Sequence, residues 1–211
     1  MRGCFMRSML VWPLVCIGVN FGVTSAPPAT ADTGDCRPAA LFISTDGSPL
    51  FDLQASTTIA LNGASVTGST PLDGVYWSGE SADVGRARRF QLCVVDEPTL
   101  HTVAEALCRQ FNQQAVLTFD YLPEDTAHAN ANANAIAIAV PDVDFARFVA
   151  AFVADPAAHR RLQGGSVTTA DHTLILIAGK DDLDTARRLV HASGGDWARA
   201  TITYGDRELV S

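Results

Sequence analysis

The sequence has a single lysine, Lys180, among 15 basic residues, and only three methionines, three tryptophans and three tyrosines. Bases are outnumbered by 23 acids, and the formal charge of −8 excludes a general nucleic-acid binder, whose phosphate contacts need clustered cations. Also missing are the spacings that announce a metal or a nucleophile: there is no C-x-x-C, no H-x-x-x-H and no G-x-S-x-G elbow. What is plentiful is core material. Hydrophobic residues make up 47% of the chain and include 10 Phe, which rules out intrinsic disorder and collagen-like repeats. A length of 211 residues fits one domain or two small ones.

Residues 1–31 read as a secretory signal peptide. Arg2 and Arg7 precede an apolar run over 9–23, and Ala29-Thr30-Ala31 supplies an A-x-A cleavage pattern. The run is shorter than the roughly 20 residues a helix needs to cross a bilayer, and Pro13, Gly18 and Asn20 interrupt it. Membrane attachment is therefore expected only if the segment is retained. Neither Cys16, after Val15, nor Cys36, after Asp35, has the small preceding residue of a lipid anchor. Cleavage before Asp32 removes two arginines and no acid, leaving 13 bases against 23 acids over 32–211. The expected destination is the medium, the periplasm or the cell envelope.

In that oxidising setting three cysteines remain: Cys36, Cys93 and Cys108. A strand over 90–95 and a helix over 99–111 put Cys93 and Cys108 at similar distances from their connection, about 13 Å down each element. Cys108 falls on the apolar face with Leu100, Val103, Leu107 and Phe111, turned toward the sheet. A Cys93–Cys108 bridge is the expectation; pairing with Cys36, or buried free thiols, are the alternatives.

The pattern along 32–211 suggests one exported α+β domain. A β-rich part over 39–78 holds apolar runs at 40–43 and 58–61, each followed by a hairpin signal, Asp46-Gly47 and Asn62-Gly63. A polar loop over 79–89 separates it from an α/β part over 90–211. There, strands at 90–95, 115–121, 135–140, 173–178 and 198–204 alternate with amphipathic helices at 99–111, from Phe145 onward, and from Leu183 onward. Gly164-Gly165 and Gly194-Gly195 read as stops. The order over 90–178 is that of a ferredoxin-like, split βαβ unit, extended by a further helix and strand. A three-layer α/β sheet is the alternative.

Three junctions from strand to helix are acidic. In a split βαβ the strands at 90–95 and 135–140 are parallel neighbours, so Asp96, Glu97, Asp142 and Asp144 would meet at one sheet edge and hold Ca2+ or Mg2+ through oxygen ligands. The competing reading is that they cap helix N-termini. Other sets are weaker. Lys180 follows a strand and can hold an anion, but beside Asp181 and Asp182 it reads as a solvated loop residue. Ser166, Asp171 and His172 include the residue types of a hydrolase triad without its elbow or oxyanion loop. The stretch 127–135 alternates Ala with Asn130, Asn132 and Asn134 and reads as a solvated link or as a strand showing three amides. Tyr76-Trp77 offers a stacking platform or core aromatics. The pairs Arg88-Arg89, Arg160-Arg161 and Arg187-Arg188 read as solvated faces. The leading expectation is an exported binding or interaction protein with an envelope or extracellular partner and no evident catalytic site. A small secreted hydrolase, metal-dependent or of the Ser/His type, is the alternative.

Overall fold

A computed structural model describes residues 36–78, 81–123 and 125–211. The leader and its cut at Ala31 lie outside the described residues, as do the side chains of the Tyr76-Trp77 platform. In chain order the elements are β1 Arg37–Ser44, α1 Phe51–Leu61, β2 Ser65–Ser78, β3 Ser81–Val94, α2 Glu97–Phe111, β4 Val116–Tyr121 and α3 Thr126–Asn132. There follow β5 Ala135–Val140, α4 Phe145–Ala154, α5 Pro156–Arg161, β6 Leu162–Thr168, β7 Leu174–Gly179, α6 Leu183–Ala192 and β8 Thr201–Val210.

These eight strands close into one barrel in the order β1-β3-β2-β6-β7-β5-β8-β4, and each neighbouring pair is antiparallel. This overturns the expectation of N-terminal hairpins plus a ferredoxin-like α+β portion, and equally the three-layer α/β alternative. β3 and β5, expected as parallel neighbours, have three strands between them whichever way round the barrel one counts. The chain instead repeats one element order, strand-helix-strand-strand-helix-strand, in two halves ordered β4-β1-β3-β2 and β8-β5-β7-β6, the second half carrying the additional helix α5 before β6. Two seams join them, β2 to β6 and β4 to β8.

Closure explains why the strands look like continuous apolar runs. With helices outside and an apolar interior within the barrel, both faces of a strand are buried, so the usual polar alternation disappears. On β1, Ala39, Leu41 and Ile43 pack outward with α1 and α2, whereas Ala40 and Phe42 point into the barrel. On β5, Ile136, Ile138 and Val140 pack outward with α4 and α6, and Ala135 and Ala137 point inward.

The same alternation corrects the disulfide. Phe90, Leu92 and Val94 of β3 pack in the cluster shared with α2, so Cys93 lies on the opposite face of the strand from Cys108. Cys93 is bonded to Cys36, with the Cα atoms 5.3 Å apart, and Cys108 is a buried free thiol whose Sγ donates to the Val210 carbonyl at 3.1 Å.

Three local expectations also change. Thr58-Ile59-Ala60-Leu61 ends α1 rather than forming a strand, because Phe51, Ala55 and Ile59 bury one helical face at four-residue spacing. The polar stretch from Ser81 belongs to β3, paired along the whole of β2. Gly164-Gly165 lies inside β6, where a Cβ at 165 would fall on the ring of Phe148 from α4; the glycine lets that ring rest on the sheet.

Candidate functional site

A cavity of about 470 Å³ lies beneath the loop 45–50. The loop is held by its own short side chains. Thr45 Oγ1 accepts the Gly47 amide at 3.1 Å, Asp46 Oδ1 accepts the Ser48 amide at 2.8 Å, and the Thr45 amide donates to the Arg86 carbonyl at 3.0 Å. Asp46-Gly47 is thus a turn, but one that leads into α1 rather than into a hairpin. Gly47, at φ 79°, brings the backbone against the Arg86 side chain, a conformation that disfavours other residues.

Opposite the loop stand β2 and β3. Asp73 and Arg86 face one another in their ladder, and Arg88 grips Asp52 of α1 through both carboxylate oxygens. Burial lowers the Arg88 guanidinium from its ordinary range. Pro71 and Phe51 give the cleft an apolar lining, and Thr169, whose amide donates to the Pro71 carbonyl at 3.3 Å, closes one side. A cleft of this size with an apolar lining and a few fixed charges is suited to holding a small molecule.

A second polar set lies inside the barrel. Arg89 donates to the Tyr121 hydroxyl, and its guanidinium lies 5.7 Å from the centre of the Phe42 ring. Tyr121 meets Phe119 edge-on at 5.0 Å, and Phe119 faces Arg207 across the β4–β8 seam. Burial pulls the Arg207 guanidinium below its ordinary range, and the nearby Asp182 carboxylate partly restores it. On the outer side of that seam, Asp120 pairs with Arg37 at 2.5 Å. Burial pushes its carboxyl up; Arg37 pulls it down, while Asp206 and Glu97 push it up again, and the net direction is upward.

The structure does not bring the four junction carboxylates together. Asp96 caps α2 by accepting the Thr99 amide at 2.8 Å, and Glu97 is in the first turn of that helix. Asp144 caps α4 by accepting the Arg147 amide at 2.9 Å, and Asp142, at φ 61°, pairs with Arg199 at 2.5 Å. Among the described residues no three His, Cys, Asp or Glu side chains are grouped to hold a metal ion.

The other sets serve the fold. Lys180 donates to the Ala131 carbonyl at 3.3 Å, beside α3. Ser166 is buried in β6, while Asp171 and His172 form the β6–β7 turn. There Asp171 accepts from the Thr168 hydroxyl, which holds its carboxyl below the usual range against the opposing effect of burial. Asn130 and Asn132 lie on α3, and Asn134 precedes β5.

Sequence reasoning missed Arg89, Arg207 and Tyr121. The pair Arg88-Arg89 looked like one solvated patch. Within a strand, consecutive residues face opposite ways, so Arg88 reaches outward to Asp52 and Arg89 enters the barrel. Placing 81–94 in a strand was the signal needed.

No family model matches the chain, and no curated protein matches it. Solved structures that resemble it include an anthrone oxidase-like protein, at 10% identity and a TM-score of 0.25, covering 85% of this chain and 95% of that one. A candidate transcriptional repressor of the glycine cleavage system shares 13% identity at a TM-score of 0.28, covering 80% and 96%. A candidate monooxygenase from Lactobacillus acidophilus shares 9% at 0.27, covering 83% and 96%. Superpositions this loose carry no weight for activity.

Proposed function

We propose that this is an exported binding protein that holds a small zwitterion in the cleft beneath the loop 45–50, without turning it over. The observation that carries this reading is the pairing of Asp73 with Arg86 on the wall of a cavity of about 470 Å³. Two opposite charges fixed on one ladder match the ammonium and carboxylate of an amino acid or a short peptide. The apolar lining suits a side chain, and the doubly bonded Arg88 and Asp52 keep the wall rigid, so little ordering is left to oppose binding. Export follows from the leader pattern of residues 1–31 and accords with a disulfide between Cys36 and Cys93.

The test is an amide chemical-shift titration of the purified protein with the twenty common amino acids and a set of dipeptides. Shifts concentrated at 45–52, 71–73 and 86–88, and weakened at least tenfold by Arg86→Ala, support the reading. Shifts elsewhere, or none at millimolar probe, overturn it.

A further inference from the structure

We infer that the barrel interior is a second binding site, in which Arg89 and Arg207 take the carboxylate of a small apolar acid. Arg89 Nε and Arg207 Nη1 are buried and have no hydrogen-bond partner. Buried donors are almost always paired, and a guanidinium left short of acceptors is suited to a planar oxyanion that accepts from two N–H groups at once. The partners each arginine does have leave these donors over. Arg89 spends another nitrogen on the Tyr121 hydroxyl, and Asp182 reaches the Arg207 end from the turn after β7.

The two arginines enter from different halves, Arg89 from β3 and Arg207 from β8, with Phe119 and Tyr121 of β4 between them. The rest of the interior is apolar: Phe42, Leu117, Ile175 and Ile177 supply bulk. Ala40, Ala87, Ala135 and Ala137 are small, whereas the Phe119 ring fills the space beside Gly205 and the Asp182 carboxylate that beside Gly179. An eight-stranded barrel has room for side chains or for one small ligand. Access is given by the part-exposed Tyr121, Ala137 and Leu209, which border the same interior. Donors for an anion set in an apolar, wall-enclosed space define an acid with a hydrocarbon body. This site does not depend on the outer cleft, and its ligand is chemically distinct from a zwitterion.

Isothermal titration of the purified protein with decanoate, and with decanol as its uncharged counterpart, tests this. Decanoate binds at one site and at least tenfold more tightly than decanol. Arg89→Gln and Arg207→Gln each weaken decanoate at least tenfold, whereas Arg86→Ala in the outer cleft leaves it unchanged. Should either glutamine variant lose its far-UV circular dichroism, Ala137→Phe, which fills the interior, replaces it and abolishes binding; the acid-to-alcohol ratio on the unaltered protein remains decisive in any case. Equal affinity for acid and alcohol, no binding at millimolar decanoate, or a loss that follows Arg86 instead of Arg89 and Arg207 overturns the proposal.

Discussion

Asn134 and Arg207 are joined by two hydrogen bonds: Asn134 Oδ1 accepts the Arg207 amide at 2.9 Å, and its Nδ2 donates to the Arg207 carbonyl at 3.3 Å. The side chain thereby continues the β5–β8 ladder past its last backbone pair, Ala135 with Gly205, and fixes the residue that carries a guanidinium into the barrel. The Asn134 amide adds a third bond, to Asp206 Oδ1 at 3.1 Å.

Asn134→Ala removes the two side-chain bonds from an exposed position, and the expected loss is about 1–2 kcal/mol of stability at a net ~1 kcal/mol or less per bond. Urea denaturation measures it. Asn134→Asp is expected to fall at least as far, because it replaces a donor with a carboxylate beside Asp206.

Asp120 sets a pH dependence. Burial, opposed by Arg37, holds its folded-state carboxyl above the ordinary range, so folding favours the protonated form. Its contribution to stability is full below the unfolded value, about pH 4, and is lost as pH rises through the folded value. Asp120→Asn is therefore expected to be more stable than the unaltered protein at pH 7, with the difference vanishing below about pH 4. Denaturation midpoints from pH 3 to pH 8 check both the sign and the window.

The disulfide closes a long loop, Cys36 and Cys93 being 57 positions apart in sequence. Chain-entropy reasoning gives about 4 kcal/mol for a loop of that length. Reduction, or Cys36→Ser with Cys93→Ser, is expected to lower stability by up to that amount. Peptide mapping without reduction should recover Cys36 linked to Cys93 and Cys108 as a free thiol.

Gly165 and Phe148 form a coupled pair. A methyl at 165 meets the Phe148 ring and lies 3.1 Å from Leu176, so Gly165→Ala is expected to cost about 1–3 kcal/mol through overpacking. Phe148→Leu in that background should recover part of the loss, and a double-mutant cycle of denaturation energies measures the coupling.

Much of the second half was legible as elements. The four-residue spacings of Phe148 and Phe152 and of Ala186 and Val190 reported α4 and α6, and the apolar runs at 135–140 and 173–178 reported β5 and β7. Helix α1 was not legible, because the β-branched Thr57, Thr58 and Ile59 disguise a face defined by Phe51, Ala55 and Ile59. Closure was not legible either. Which strands pair at the seams depends on contacts across the chain, such as Leu72 with Thr168, that no local pattern encodes. The site followed the same division: the caps Asp96 and Asp144 could be read from position alone, whereas Arg89 and Arg207 acquire meaning only once their strands are known to face one interior.

That shared interior is the claim on which the rest depends, and nuclear Overhauser contacts across the two seams test it most directly. Backbone proton contacts are expected between β2 and β6, around Asp73 and Val167, and between β4 and β8, around Thr118 and Glu208. Contacts confined to β4-β1-β3-β2 and to β8-β5-β7-β6, with both seams silent, would contradict a closed barrel and the sites built on it.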